Sequence, residues 1–166
     1  MWGAFRVKLA RYSLLGLAAV CLATAAGAQW SDSSGKTDCA FRRHYTDGTE
    51  LEFGVNRNYD YGTLVLWNDK WQSIRAENEY QIDISGDGAD FGTFPAKGMR
   101  TSYGSSGLFI VVDSKETFRT LANYSVIQLR IKGRLIGRYN LSGAAREMTR
   151  ALLCASADEV EDPFSI

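Results

Sequence analysis

The chain has 166 residues, of which 45% are hydrophobic, with 19 basic and 19 acidic side chains and a formal charge of zero at pH 7. Without the first 28 residues, whose removal is argued next, 16 basic and 19 acidic residues remain, a formal charge of −3. Nucleic-acid-binding domains carry a basic excess, so this balance predicts no nucleic-acid partner. The remaining length suits one domain with its own core.

The first 28 residues show the three parts of a secretory signal peptide. Arg6, Lys8 and Arg11 are basic, residues 14–23 are apolar, and Ala26-Gly27-Ala28 matches an A-x-A cleavage site. The apolar run is shorter than the roughly 20 residues that a membrane-spanning helix needs, and no second run of that length follows. We therefore expect cleavage after Ala28, a periplasmic or secreted protein and no transmembrane segment.

Export bears directly on the cysteines. Cys21 lies in the predicted signal peptide, which leaves Cys39 and Cys154. An even pair in an oxidising compartment favours a disulfide. In the alternative interpretation Cys39 is a free nucleophile or a metal ligand with His44, but two cysteines and one histidine are too few for a closed zinc site. We predict a Cys39–Cys154 disulfide, no metal and no cofactor.

The first half of the exported chain predicts a lead-in and several short strands. Residues 29–38 are polar, with Trp30 their only large apolar residue, and predict a flexible lead-in. Turn signals then separate runs in which apolar and polar residues alternate, the pattern of half-buried strands. The predicted strands are 51–55, 63–67, 80–84 and a short one at 91–95, and two strands around a short polar loop predict a hairpin.

The most apolar strand comes after a Gly/Ser-rich polar connection at residues 98–107. Residues 108–112 read LFIVV without alternation, which predicts the most buried strand of the domain. Asp113-Ser114-Lys115-Glu116 has the form of a capping box, a polar acceptor followed three residues later by Glu. A short helix with a single apolar face is predicted to follow, and that face consists of Phe118, Leu121 and Ala122.

The chain then predicts a β-hairpin that leads into a second helix. Ile127, Leu129 and Ile131 form the buried set of its first strand, and Lys132-Gly133 is the tight turn. The buried set of its second strand is predicted to be Leu135, Gly137, Tyr139 and Leu141. Ser142 is the predicted N-cap of the helix. The helix has apolar positions at Ala144, Met148, Ala151 and Leu152 and ends at Cys154.

These elements predict one mainly β domain, in other words a β-rich α+β fold, over residues 39–155. We expect a single antiparallel sheet curled into a sandwich or a partly open barrel, with two short helices, the last at the C-terminus. Residues 156–166 are acidic and predict a disordered tail.

Two patterns suggest chemistry, but each has a simpler explanation. Residues 83–88, with Asp90, resemble the start of a calcium loop, yet the twelfth position is Phe94 instead of a bidentate Glu. A hairpin turn uses Asp and Gly in the same way. His44 would serve as a general base, but no serine lies in a G-x-S-x-G context and no catalytic partner can be placed. Glu50 and Glu52 share one strand face and are expected to point to solvent. We predict no catalytic residue.

Two surface groups are candidates for partner binding. An aromatic group lies on turns and strand ends, where Tyr and Trp act either as interface anchors or as lids on the core. Its members are Tyr59, Tyr61, Trp67, Trp71 and Tyr103. A basic group around the last hairpin would meet an anionic surface, or would keep a sheet edge charged against aggregation. Its members are Arg130, Lys132, Arg134 and Arg138, with Arg146 and Arg150 on the following helix.

The stretch from 139 to 154 reads YNLSGAAREMTRALLC, a strand that runs into L-S-G, small residues and a helix with a late cysteine. This ending resembles the C-terminal motif of small exported bacterial proteins of the invasion-associated locus B type. The resemblance implies a secreted β-rich domain without known catalytic activity, and it transfers no functional residue.

The sequence thus predicts a secreted or periplasmic, disulfide-tied binding or adaptor protein, associated with virulence or with the envelope, whose partner is a protein in the envelope or outside the cell. The alternatives are an envelope hydrolase that uses His44 and a structural envelope component that contacts an anionic surface through its basic hairpin. The oligomeric state stays open.

Overall fold

The structure, a computed structural model, describes residues 29–58 and 60–157. The predicted signal peptide (1–28), Tyr59 and residues 158–166 of the predicted tail lie outside these residues. The strands are β1 (Ser31–Asp32), β2 (Asp38–His44), β3 (Glu50–Asn56), β4 (Gly62–Asn68), β5 (Glu79–Gly86), β6 (Ala89–Arg100), β7 (Ser106–Val112), β8 (Val126–Ile131) and β9 (Arg134–Asn140). The helices are α1 (Lys115–Ala122) and α2 (Ala144–Ser156). In the described part of the chain, no helix has the length and apolarity needed to cross a membrane.

All of these strands belong to one antiparallel sheet in the order β1-β2-β3-β4-β7-β6-β5-β8-β9. The sheet curls so that its two ends meet. The hydroxyl of Tyr45, just after β2, donates to the carbonyl of Asn140 in β9 at 2.8 Å. The ring centroids of Tyr45 and Tyr139 lie 5.1 Å apart. The structure is therefore a curled half-barrel with two helices, which confirms the mainly β prediction.

The core fills the inner face of this sheet, and the helices cover it. Alternate residues of the strands point inward and are fully buried, because side chains in a strand alternate between its two faces. They include Leu51, Phe53, Val55, Leu64, Leu66, Ile82, Ile84, Leu108, Ile110, Ile127 and Leu129. Phe118 and Leu121 of α1 and Met148 of α2 join the same core. The predicted apolar face of α1 and the strand alternation are confirmed.

The centre of the sheet differs from the prediction in two ways. Strand β7 lies in the middle, but its burial alternates: Leu108, Ile110 and Val112 are fully buried, whereas Val111 is 37% exposed. The prediction from the unbroken apolar run is wrong because the helices cover only the inner face. In addition, β6 extends over twelve residues to Arg100. The predicted polar connection therefore shrinks to a turn at 101–105.

Both helix starts also differ from the predicted caps. The Ser114 hydroxyl, and not the Asp113 carboxylate, accepts the Thr117 N–H at 3.1 Å and caps α1. At α2 the N-cap is Gly143, with φ = 87°, and no side chain caps the helix. A residue with a Cβ is strained at this φ, so the chain places glycine at the strand-to-helix turn. Ser142 lies one position before the N-cap.

The last hairpin contains a bulge that reverses one predicted side chain. Lys132 and Gly133 form the predicted two-residue turn, both with positive φ. Leu129 pairs with Gly137, but Arg130 pairs with Leu135, so Ile136 is an extra residue on β9. Leu135 is therefore turned outward and exposed, whereas Tyr139 stays buried. The prediction that Leu135 belongs to the buried set is wrong.

The region before β2 is anchored to the core, unlike the flexible lead-in that its composition predicts. Trp30 is only 8% exposed, and its ring lies 5.2 Å from Phe41 and 5.8 Å from Phe53, measured between centroids. Its indole N–H donates to the carbonyl of Ser142 at 3.0 Å. One large aromatic side chain thus fixes a segment that is otherwise polar.

The predicted disulfide is confirmed between Cys39 and Cys154. Cys39 is fully buried near the start of β2, and Cys154 is half-buried in the last turn of α2. The bond therefore ties the end of α2 to the sheet. Arg57 supports the same place, because its Nη1 donates to the carbonyl of Cys154 at 2.9 Å.

Candidate functional site

Two rows of side chains cross the outer face of strands β2, β3, β4, β7 and β6. The first row aligns His44, Glu50, Trp67, Gly107 and Met99. The second aligns Arg42, Glu52, Val65, Phe109 and Lys97. Val111 follows Phe109 on the same face of β7. We call these eleven residues the outer patch.

The middle of the outer patch is apolar. The Trp67 ring lies against Gly107, where an added Cβ would come within 2.5 Å of Trp67 Cε3. Val65 is buried, Phe109 is half-buried and Val111 is exposed. One-sided antiparallel sheets usually present polar residues to solvent, so this apolar strip departs from the expected pattern. Apolar patches of this kind on a soluble domain mark interaction sites.

Charged side chains border the apolar strip and pair with one another. Glu50 receives Arg42 Nη1 at 3.4 Å and His44 Nε2 at 3.1 Å. Burial raises the pKa of Glu52, and the neighbouring Glu50 charge adds to the rise. On the opposite border Lys97 pairs with Glu77. Glu50 and Glu52 share the outer face, as their spacing predicts, but both are half-buried and not fully solvated.

A depression of about 320 Å³ lies at one end of the outer patch, where His44, Trp67, Asp69, Thr101 and Ser105 are among the lining residues. The His44 side chain is 70% exposed, and Glu50 orients it through Nε2. This carboxylate partner was not placed from the sequence. Among the described residues no hydroxyl group hydrogen-bonds to His44, so the structure provides an oriented base without an assembled nucleophile.

The predicted aromatic group is divided. Tyr61 and Trp67 lie at opposite ends of β4, about 20 Å apart for six residues of strand. Tyr103 is 97% exposed in the turn before β7, at the same sheet end as Trp67. Trp71 is half-buried and packs against the core, as a lid would. Tyr59 lies outside the described residues. The structure therefore brings Trp67 and Tyr103 to one end and separates Tyr61 from them.

The predicted basic group is spread over the last hairpin. Arg130 pairs in register with Asp83, and its guanidinium donates to Ser85 Oγ at 3.3 Å and Gln128 Oε1 at 2.9 Å. Lys132 and Arg134 lie at the turn, and Arg138 lies on β9 opposite Gln128. On α2, Arg146 and Arg150 both pair with Glu147. Arg130 is thus already held by polar neighbours of the sheet.

The residues of the calcium-like loop are used in local hydrogen bonds. Asp83 Oδ1 accepts from Thr93 Oγ1 at 2.6 Å, Asp87 Oδ2 from the Ser125 N–H at 2.7 Å, and Asp90 Oδ1 from the Gly92 N–H at 2.9 Å. Within residues 29–58 and 60–157, no group of three or more His, Cys, Asp or Glu side chains is placed to hold a metal ion.

No family model matches the chain, and no curated protein or solved structure matches it either. The candidate site therefore rests on its own geometry.

Sequence reasoning found Trp67 and Tyr103 but missed the rest of the apolar strip, namely Val65, Gly107, Phe109 and Val111. The signal was present in the unbroken apolar runs at 63–67 and 108–112. In a sheet that helices cover on one side only, such a run places apolar side chains on the solvent side as well.

Proposed function

We propose that the protein is an exported, disulfide-tied binding module that engages a protein partner through the outer patch. The observation that carries this proposal is the apolar strip at the centre of a solvent-facing sheet, with Trp67 laid on Gly107. An aromatic and aliphatic centre inside a charged border is the usual composition of a protein interface. Small-molecule sites are concave instead, whereas the strip lies on the outer face of a sheet.

Export is the second part of the proposal. It is supported by the signal-peptide pattern of residues 1–28 and by the Cys39–Cys154 bond, which suits an oxidising compartment. The resemblance of residues 139–154 to exported proteins of the invasion-associated locus B type is in keeping with it. We place the partner in the envelope or outside the cell on the same grounds.

The test compares two exposed aliphatic residues. Val111→Glu places a charge in the apolar strip, and Leu153→Glu places the same charge on α2, where Leu153 is 65% exposed. Immobilised oxidised protein captures its partner from envelope extract and culture medium, and the affinity of that partner for each variant is then measured. We expect Val111→Glu to weaken binding at least about tenfold, or 1.4 kcal/mol, and Leu153→Glu to leave it unchanged. Equal binding by both variants would reject the outer patch.

A hydrolase that uses His44 is the second candidate, and the His44–Glu50 contact at 3.1 Å is the observation that favours it. A carboxylate that orients an imidazole is a recurring part of general-base catalysis. The test is turnover on any substrate found by screening. Loss of turnover in His44→Ala, together with retained folding, would support catalysis, and unchanged turnover would remove it.

A further inference from the structure

A second surface feature lies away from the outer patch, where the C-terminal end of α2 meets the first residue of α1. A cavity of about 440 Å³ is lined there by three cations, Lys36, Arg57 and Lys115, and by the end of α2. Among the described residues that line it, none is Asp or Glu. The nearest acidic residues along the chain lie outside the lining, and these are Asp38, Asp60 and Asp113.

The groups around this cavity give it a positive potential. Lys115 is the first residue of α1, and the partial charge of a helix N-terminus adds to its ammonium charge. Both Nη atoms of Arg57 are directed at Cys154, with Nη1 2.9 Å from the carbonyl oxygen and Nη2 3.3 Å from Sγ. Arg57 Nε is buried, and no acceptor in the described part of the chain pairs with it. The described structure thus leaves three cations without a carboxylate partner.

The chain itself supplies negative charge at this point. Helix α2 ends at Ser156, and Ala157 lines the cavity. Residues 158–162 follow directly and read DEVED, with four carboxylates in five residues. At about 3.5 Å per residue these carboxylates lie within roughly 18 Å of Ala157, which is enough to reach every side of the cavity. They also follow the negative end of α2, where they repel its free carbonyls unless cations offset them.

We propose that the acidic segment 158–162 folds back into this cavity and pairs with Lys36, Arg57 and Lys115 of the same chain. The pairing places a charged cover over the end of α2 that carries Cys154. It accounts for a cavity with cations only, for the unpaired Arg57 Nε and for the position at which the described chain ends. The competing occupants are an external anion and the acidic segment of a second copy.

The experiment is zero-length carbodiimide cross-linking of the exported, oxidised protein, followed by mass spectrometry of the peptides. We expect amide links from Lys36 or Lys115 to the side chains of Asp158, Glu159, Glu161 or Asp162. These links should disappear at 1 M salt, where the Debye length falls to about 3 Å. The Lys97–Glu77 ion pair provides an internal positive control. A 1:1 mixture of 14N- and 15N-labelled protein shows whether each link lies within one molecule.

The matched variant replaces the four acidic residues by their amides: Asp158→Asn, Glu159→Gln, Glu161→Gln and Asp162→Asn. We expect Lys36 and Lys115 to react with an acetylating reagent up to about fivefold faster in this variant, the range of exposed ion pairs, with Lys97 unchanged. Links between differently labelled molecules would overturn the proposal in favour of a second copy. Absence of links beside a Lys97–Glu77 link would also overturn it, as would lysines equally protected in both proteins, which would indicate an external anion.

Discussion

Removal of the Cys39–Cys154 bond tests how the end of α2 is held on the sheet. The two cysteines are 115 residues apart in sequence. In the chain-entropy account, closing a loop of that length lowers the entropy of the unfolded chain by about 16 cal/mol/K, or about 4.8 kcal/mol at 25 °C. Small domains are stable by about 5–15 kcal/mol, so this one bond supplies from a third to nearly all of that free energy.

Alanine is the appropriate replacement. Cys39 is fully buried, and a serine hydroxyl there would be an unpaired polar group that adds its own cost. Other contacts of α2 remain in the alanine variants, because Met148 and Ala151 still lie in the core and Trp30 still donates to Ser142. We therefore expect the variants to fold and to lose about 4–5 kcal/mol of unfolding free energy.

The assay is urea denaturation followed by tryptophan fluorescence, with the oxidised protein, Cys39→Ala, Cys154→Ala and the double variant. Either single change breaks the bond, so all three variants should lose nearly the same stability. The m-value should rise, because the unfolded chain without its cross-link exposes more surface. A loss below about 1.5 kcal/mol would refute the loop-entropy reasoning for this fold.

Three further changes test other parts of the structure. Trp30→Ala should cost about 3–5 kcal/mol in urea denaturation, because the ring is buried and its N–H bond to Ser142 is lost; a cost below 1 kcal/mol would restore the flexible lead-in. Gly107→Ala should cost about 1–3 kcal/mol in thermal unfolding and shift the fluorescence of Trp67, because the new methyl group meets the indole ring. Because burial raises the pKa of Glu52 from 4.5, the stability it contributes is full below its ordinary pKa and is lost as pH rises through the raised one. Glu52→Gln should therefore be more stable than the parent at pH 7, with a difference that shrinks toward pH 4; a constant difference would contradict this cause.

The local parts of the fold were predictable because they depend on neighbouring residues. Alternation in 51–55 and 127–131, the Lys132-Gly133 turn and the apolar face of α1 are patterns of this kind, and the structure confirms them. The failures depend on contacts between distant residues. The bulge that turns Leu135 outward is set by its pairing with Arg130 across the hairpin. Trp30 is buried by Phe41 and Phe53, which its polar neighbours in sequence do not indicate.

The candidate site was predictable only in part for a related reason. A single tryptophan at a strand end does not show whether it covers the core or faces a partner, and Trp67 and Trp71 differ in that respect. The distinction depends on which side of the sheet the helices cover. Once α1 and α2 occupy the inner face, the outward members of the apolar runs, such as Val65 and Val111, become solvent-facing.

The location of the disulfide also determines how a binding experiment should be interpreted. Cys39 and Cys154 join β2 to α2, whereas the apolar strip lies on β4 and β7. A cysteine-free protein that loses its partner could therefore have lost stability without any change in the strip. Val111→Glu acts in the opposite way, since it alters the strip on the solvent side and leaves the core and the bond in place. Binding that survives removal of the bond but not Val111→Glu, at equal folded fraction, would assign recognition to the strip.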